Sequence, residues 1–357
     1  RGGKTMNVSV HQRPGVYSSY DASAVVSGRG SGRVVGLAGI STQAQAGVVQ
    51  TITSYDRAAA VFGSGGDEDM AELIRLALKN GAAAVAAVAV ADESGYEAAF
   101  AQLAGVENIA LVICDSTDLA VQKLLRDSVI EASELRRERL CVAAGARDED
   151  VDGLIARAGE LNHERVVLVA PGGVDSEGTA LSGLTLAAAV AGAIAGESDP
   201  ALPLGGAELL GLDGLSARLE DRDVDRLILG GVTPVESLGG VVSVVRGVTT
   251  RTTSGGTADA TWRDLSAIRV VDDVIPGLRA ALRAKFRRAK NTAQSRGAIR
   301  AQVVLELEHK LAREIITGYE GVAVAADPQD PTQCLVDFSF SVAHGLNQIW
   351  LTAHITV

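Results

Sequence analysis

Between residues 96 and 240 the chain alternates apolar runs of strand length with helical stretches, and that rhythm admits few architectures. The runs "NIALVICD" (Asn108–Asp115), "RLCVAAG" (Arg139–Gly145) and "RVVLVAPG" (Arg165–Gly172) are strand-length and apolar through their centres. Between them lie "DLAVQKLLRDSVIEASELRR" and "DEDVDGLIARAGEL", and after them "GLTLAAAVAGAIAG". A strand–helix–strand repeat of this kind predicts a largely parallel sheet with helices on its faces. Aromatic residues make up only 3% of a chain that is 47% hydrophobic, so Ala and Gly carry much of the apolar count. The cores are therefore expected to be tightly packed and built from small side chains.

Residues 24–95 read as a smaller mixed unit. "RVVGLAGI" (Arg33–Ile40) and "GVVQTITS" (Gly47–Ser54) are strand-like. "SYDRAAAVFG" reads as a short helix closed by Gly63, which can take the left-handed cap. "DEDMAELIRLALKNG" is led by acids and carries Met70, Leu73, Ile74 and Leu78 on one face, before "AAAVAAVAVA" supplies a buried strand.

Beyond residue 240 the pattern changes. "GVVSVVRGVTTRTT" is strand-like, and helices are expected over Val271–Lys290 and roughly Gly297–Ile316. "LVDFSFSV" then places Val336, Phe338, Phe340 and Val342 on one face. The last stretch alternates Ile349, Leu351, Ala353, Ile355 and Val357 with polar or amphipathic residues. The beginning behaves alike: Val8 and Val10 alternate with polar neighbours, and Pro14 keeps "QRPGVY" out of a helix. Unpaired terminal strands are aggregation hazards. Two outcomes fit: the ends pair within their own chain, or they add to a neighbour's sheet.

Catalytic chemistry is hard to find. "SGRGSGR" (Ser27–Arg33) lacks the Gly-Lys-Ser/Thr of a phosphate loop, and "APGGVDSEG" (Ala170–Gly178) lacks the spaced glycines of a dinucleotide fingerprint. None of the five histidines, His11, His163, His309, His344 and His354, has a His or Cys at metal-ligand spacing. "SGLTLAAAVAGAIAG" is similar to the nucleophile helix of subtilisin-like proteases, but it starts Gly183-Leu184-Thr185 with no matching serine. His163, in "ELNHER", reads as a solvated helix end. No cofactor is expected. Cys114 and Cys141 sit in apolar runs as plain core residues, and three unpaired-looking cysteines suggest a reducing compartment. The net charge of −11 argues against broad nucleic-acid binding, and no run is long and apolar enough for membrane insertion.

One segment departs from the acidic balance. Eight basic residues and no acidic one lie between Arg279 and Arg300. In a helix, Arg279, Arg283, Arg287 and Lys290 share a stripe beside a buried line of Leu278, Leu282 and Phe286. A solvated face is the ordinary explanation for such a run. Like charges at this spacing repel by a few tenths of a kcal/mol per pair, which favours an acidic partner surface.

Taken in order, these pieces resemble the sheath proteins of contractile phage tails and related contractile injection particles. The resemblance is carried by "RPGVY", "SYDRAAAVFG", "LIRLALKNGAAAVAAVAV", "LILGGVTPVE", "GGVVSVVRGVTTRTT" and "DLSAIRVVDDVI", and spans nearly the whole chain. The Ala-rich run after Asn80-Gly81 departs from the aromatic and Arg positions usual there. The resemblance implies a mixed α/β, multi-domain chain: an arm over 1–20, a small β-rich domain over 21–95, a central subtilisin-like α/β domain without a triad over 96–240, a C-terminal α+β domain over 241–347, and a strand arm over 348–357. It further implies that the arms, Asn7–Tyr17 with Pro14, Gly15, Val16 and Tyr17, and Gln348–Val357, complete sheets in neighbouring subunits. The function implied is a structural subunit that polymerises helically around an inner tube and contracts to drive it through a cell envelope. Its partners would be further copies of itself, the tube protein, and baseplate and tail-terminator proteins. Its place would be a virion tail or extracellular particle assembled in the bacterial cytoplasm. The basic stripe would face the tube. The competing expectation is an α/β hydrolase-like or nucleotide-binding enzyme.

Overall fold

A computed structural model describes residues 34–347. The chain opens with strand β1 (Val34–Ile40), the short β2 (Val49–Ile52), helices α1 (Tyr55–Phe62) and α2 (Met70–Lys79), and β3 (Ala84–Val90). The alternating region follows as α3 (Tyr96–Gly105), β4 (Ile109–Cys114), α4 (Leu119–Glu134), β5 (Leu140–Ala144), α5 (Val151–Leu161), β6 (Val166–Ala170), α6 (Leu184–Gly196), α7 (Asp221–Leu229), β7 (Val232–Leu238) and β8 (Val241–Val244). A minimal hairpin, β9 (Thr253–Ser254) and β10 (Thr257–Ala258), leads to α8 (Leu265–Phe286), α9 (Ala293–Ala312), β11 (Ile316–Ala326) and β12 (Cys334–Val342).

Eight strands make one sheet in the order β2-β3-β1-β4-β5-β6-β7-β8. The inner six are parallel, and antiparallel β2 and β8 close the two sides. The alternating region thus forms the parallel sheet that its rhythm demands. The expected break near residue 95 does not divide it. β1 lies between β3 and β4, so the 21–95 segment supplies one flank of the same sheet rather than a sheet of its own. The strand that follows β1 in space comes after α3 in sequence, and linear reading could not see that adjacency.

Strand side chains alternate between two cores, as a pleat requires. Val167 and Val169 of β6 enter the core covered by α1, α2 and α6, where Phe62, Met70, Leu73, Leu186 and Val190 pack. Val166, Leu168 and Ala170 enter the core under α3, α4, α5 and α7, beside Phe100, Leu125, Leu154 and Leu227. Cys114 and Cys141 belong to this second core, as expected. Carboxylates start several helices: Asp69 accepts from Glu72 N at 2.8 Å, Asp118 from Ala120 N at 2.7 Å, and Asp150 from Gly153 N at 2.8 Å. Each such cap contributes about 1 kcal/mol. The small-residue composition has a local cause where α2 meets α6. A Cβ at Gly192 would sit 2.3 Å from the carbonyl oxygen of Ala77, so only glycine allows this approach.

A third core joins α8 and α9 to the inner face of β11 and β12 through Val274, Leu278, Leu282, Val303, Leu307 and Phe340. Val336, Phe338 and Val342 pack against it, so the expected face of β12 is the inner one. Helix α8 is rooted in two cores. Leu265, Ile268 and Val271 belong to the central one, while Val270, Val274 and Ile275 belong to the third. It begins six residues before its expected start at Val271 and stops at Phe286. α9 also lies earlier than expected, because Glu314 takes a left-handed conformation at φ 57° and the chain turns into β11.

Candidate assembly surface

The strands β11 and β12 form a two-stranded antiparallel sheet, separate from the large one. Its inner face is covered by α8 and α9. Its outer face shows Thr317, Ala323, Ala325, Leu335, Asp337 and Ser341 to solvent, with Leu335 47% exposed. Among the described residues neither outer edge pairs with a third strand. Two strands alone are marginal in water, and an open edge is a template for another chain. Near the middle of β11 the register slips between Glu320 and Ala323, where Gly321 sits at φ 68°, and Arg300 Nε donates to the carbonyl oxygen of Val322 at 2.9 Å. The arm residues Val8, Val10, Pro14, Gly15, Val16 and Tyr17, and Ile349, Leu351, Ala353, Ile355 and Val357, lie outside the described residues, as does the Ser27–Arg33 loop.

The basic segment is not the stripe that helical spacing predicts. Arg279 turns back onto the central unit and pairs with Glu138 at 2.9 Å, with its side chain only 13% exposed. The helix ends at Phe286, so Arg287 caps it and Lys290 lies beyond it. What remains is an exposed cluster around the α8–α9 connection: Arg283, Arg287, Arg288 and Lys290. The connection is held by Asn291, whose Nδ2 donates to the carbonyl oxygens of Pro331 at 2.9 Å and Gln333 at 2.8 Å. Leu278, Leu282 and Phe286 line the buried side, as expected.

Charged groups also fasten α8 to the central sheet. Arg165, at the start of β6, donates two hydrogen bonds to the Asp272 carboxylate at 2.7 and 3.0 Å. Burial pushes the Asp272 carboxyl up, against the pull of Arg165. Lys310 of α9 pairs with Asp273. Arg269, buried, donates to the carbonyl oxygens of Leu202, Glu197 and Asp199 near the end of α6 at 3.3–3.4 Å. Desolvation lowers its basicity, opposed by Glu197 and Asp199. None of these partners was legible in the sequence.

His163 is largely buried rather than solvated. Its Nδ1 accepts the backbone N–H of Arg165 at 3.1 Å, and its own N–H donates to Thr250 Oγ1 at 3.0 Å. Burial pushes its pKa down to about 4, helped by Arg165, Arg251 and Arg126 and opposed by Glu164. Neighbouring Glu164 accepts from Arg251 at 2.7 Å.

The start of α6 does carry a serine, one residue before the glycine that the sequence comparison aligned. Ser182 is buried, and it donates both its N–H, at 2.9 Å, and its hydroxyl to Glu68. Its Oγ also accepts from Leu184 N at 3.2 Å, so its hydrogen bonds are used on Glu68 and the first residue of α6. Gly183 N donates to Gly145 O beyond the end of β5, whereas His163 lies before the start of β6. The two ends of a five-residue strand are roughly 16 Å apart. His163 and Ser182 are therefore not brought together. Among the described residues no group of three His, Cys, Asp or Glu could hold a metal ion, and no helix is long and apolar enough to cross a membrane.

Two family models match the chain in succession: the phage tail sheath protein central domain over residues 89–250, and the phage tail sheath C-terminal domain over residues 257–356. Among curated proteins none matches significantly. Solved structures agree in fold. The helical sheath of the anti-feeding prophage in its contracted state matches with TM-score 0.73 and 18% identity, over 97% of this chain and 99% of that one. The contracted sheath complex of PVC, an extracellular contractile injection system, matches with TM-score 0.69 and 14% identity, over 98% and 99%. A sheath tail protein from Desulfitobacterium hafniense matches with TM-score 0.65 and 15% identity, over 92% and 100%.

Proposed function

Because the chain belongs to the phage tail sheath family, we propose that it is the repeating subunit of a contractile sheath whose copies are joined by exchange of their terminal strands. The observation that carries the joining is the small sheet of β11 and β12, with neither strand paired to a third among the described residues and one face fixed to α8 and α9. Added strands would satisfy those edges by main-chain hydrogen bonds. Asn7–Tyr17 and Gln348–Val357 have the alternating pattern needed to supply them. A contact between unlike surfaces that does not close on itself produces a helical polymer.

Such a polymer would surround an inner tube and join baseplate and terminator proteins at its ends. It would be assembled in the bacterial cytoplasm and act in a virion tail or an extracellular particle. The driving energy would be the difference between two packings of the same subunits, held back by a barrier. The tube-facing surface is the cluster of Arg283, Arg287, Arg288 and Lys290, whose exposed charges can be released without a large penalty. The large sheet with α6 against it would correspond to a subtilisin-like arrangement without its triad.

Deleting residues 1–17 tests strand exchange. Electron microscopy of particles built from the truncated chain should show no contractile sheath; normal sheaths would overturn the exchange. Replacing Arg283 and Arg287 by Glu should leave sheath polymers but prevent assembly on the tube. Unchanged tails would remove the tube assignment alone.

A further inference from the structure

The junction between β6 and α8 joins a titratable group to a mechanical fastening. Three consecutive residues meet there. His163 holds the backbone N–H of Arg165, Glu164 holds Arg251, and Arg165 holds Asp272 of α8. The last pair connects the central sheet to the helix that carries the third core. Thr250, whose hydroxyl accepts from the backbone N–H of His163 and donates to its carbonyl oxygen, fixes the backbone of that residue.

The groups facing His163 come from each element around it. Glu164, at 3.7 Å, is the carboxylate that faces it; Arg165 of its own segment, Arg251 of the chain after β8 and Arg126 of α4 are the cations. A neutral ring accepts the Arg165 N–H and adds no charge. A protonated ring loses that acceptor and places a fourth cation among three arginines, with Glu164 already bound to Arg251.

We infer that His163 is an acid-sensitive catch: its protonation displaces Arg165 from Asp272 and loosens α8, with the β11–β12 sheet it carries, from the central sheet. The chain would then respond to acidification at this joint before the sheet itself fails. Burial of His163 sets the range, with a pKa depressed to about 4.

Hydrogen exchange of the full chain, followed from about pH 7 down to about pH 3 and corrected for intrinsic rates, reads the catch directly. In the wild type, amides of residues 265–286 should lose protection progressively from about pH 6.5, the ordinary histidine range, down to the depressed range near 4 and level off below it, while those of β5 and β6 remain protected. His163→Asn keeps an acceptor at the Nδ1 position and cannot titrate, so the loss across that window should be absent. The same loss across that window in His163→Asn overturns the inference. Asp272→Asn should raise exchange of the same amides about tenfold or more already at neutral pH. Wild-type protection in Asp272→Asn would show that the pair does not hold α8, and would equally overturn it. Neither readout depends on sheath formation, so failure here leaves strand exchange standing.

Discussion

The two sheets of this chain solve the same problem in opposite ways. The large sheet buries both faces under helices and ends in short antiparallel strands, with β8 further bonded by the Gly206–Leu209 segment. The small sheet buries one face, and among the described residues neither β11 nor β12 pairs with a third strand. The large sheet has eight strands, and the small one stops at two among the described residues. The contrast teaches where the chain keeps its stability and where it leaves a sheet open to addition.

The largest effect should come from the complete region. Gly192→Val places a side chain against Ala77 O and should cost about 4 kcal/mol or more, or prevent folding altogether. A thermal melt near wild type would mean that the α2–α6 approach is dispensable. Arg165→Met leaves Asp272 without its bidentate partner in a buried setting, at a cost of about 3–4 kcal/mol. The loss should appear as an early separate transition of the C-terminal region; a single unshifted transition would show that the two regions are not joined through this pair. Leu307→Ala should cost about 2–3 kcal/mol, confined to hydrogen exchange of α9, β11 and β12. Spread of that loss into β5 and β6 would break the comparison. Acidification should remove stability because the histidine charges in the unfolded chain before it does in the folded one. Its folded pKa of about 4 lies below the ordinary 6.5, so the contribution is present above about 6.5 and is lost as pH falls towards 4. His163→Asn should flatten this part of the stability–pH curve. Leu335→Lys, on the outer face of the small sheet, should change stability by less than about 0.5 kcal/mol while shortening polymers seen by electron microscopy.

How much of this was legible follows from the range of each signal. Local signals were read well: the apolar runs of β4, β5 and β6, the Gly63 cap, and the alternation of Val336, Phe338, Phe340 and Val342 are written within ten residues. Helix α9 was carried about four residues too far, and β11 was not read, because the stop signal is Glu314 in a left-handed conformation that usually belongs to glycine. The end of α8 was placed too late for a similar reason. Arg287, Arg288 and Ala289 are good helix formers, and the chain is held after them by Asn291 bonds to residues 40 and 42 positions away. Arg279 was assigned to a partner protein because Glu138, its actual partner, is 141 positions distant. The family resemblance was visible through the order of weak motifs; the fastening of α8, made of long-range ion pairs, was not.

The close approach at Gly192 has a consequence for a machine made of many such bodies. Where backbones meet at the Gly192–Ala77 contact there is no side chain to rotate out of the way, so α2 and α6 can shift against each other only together. That part of each copy is expected to travel as one piece.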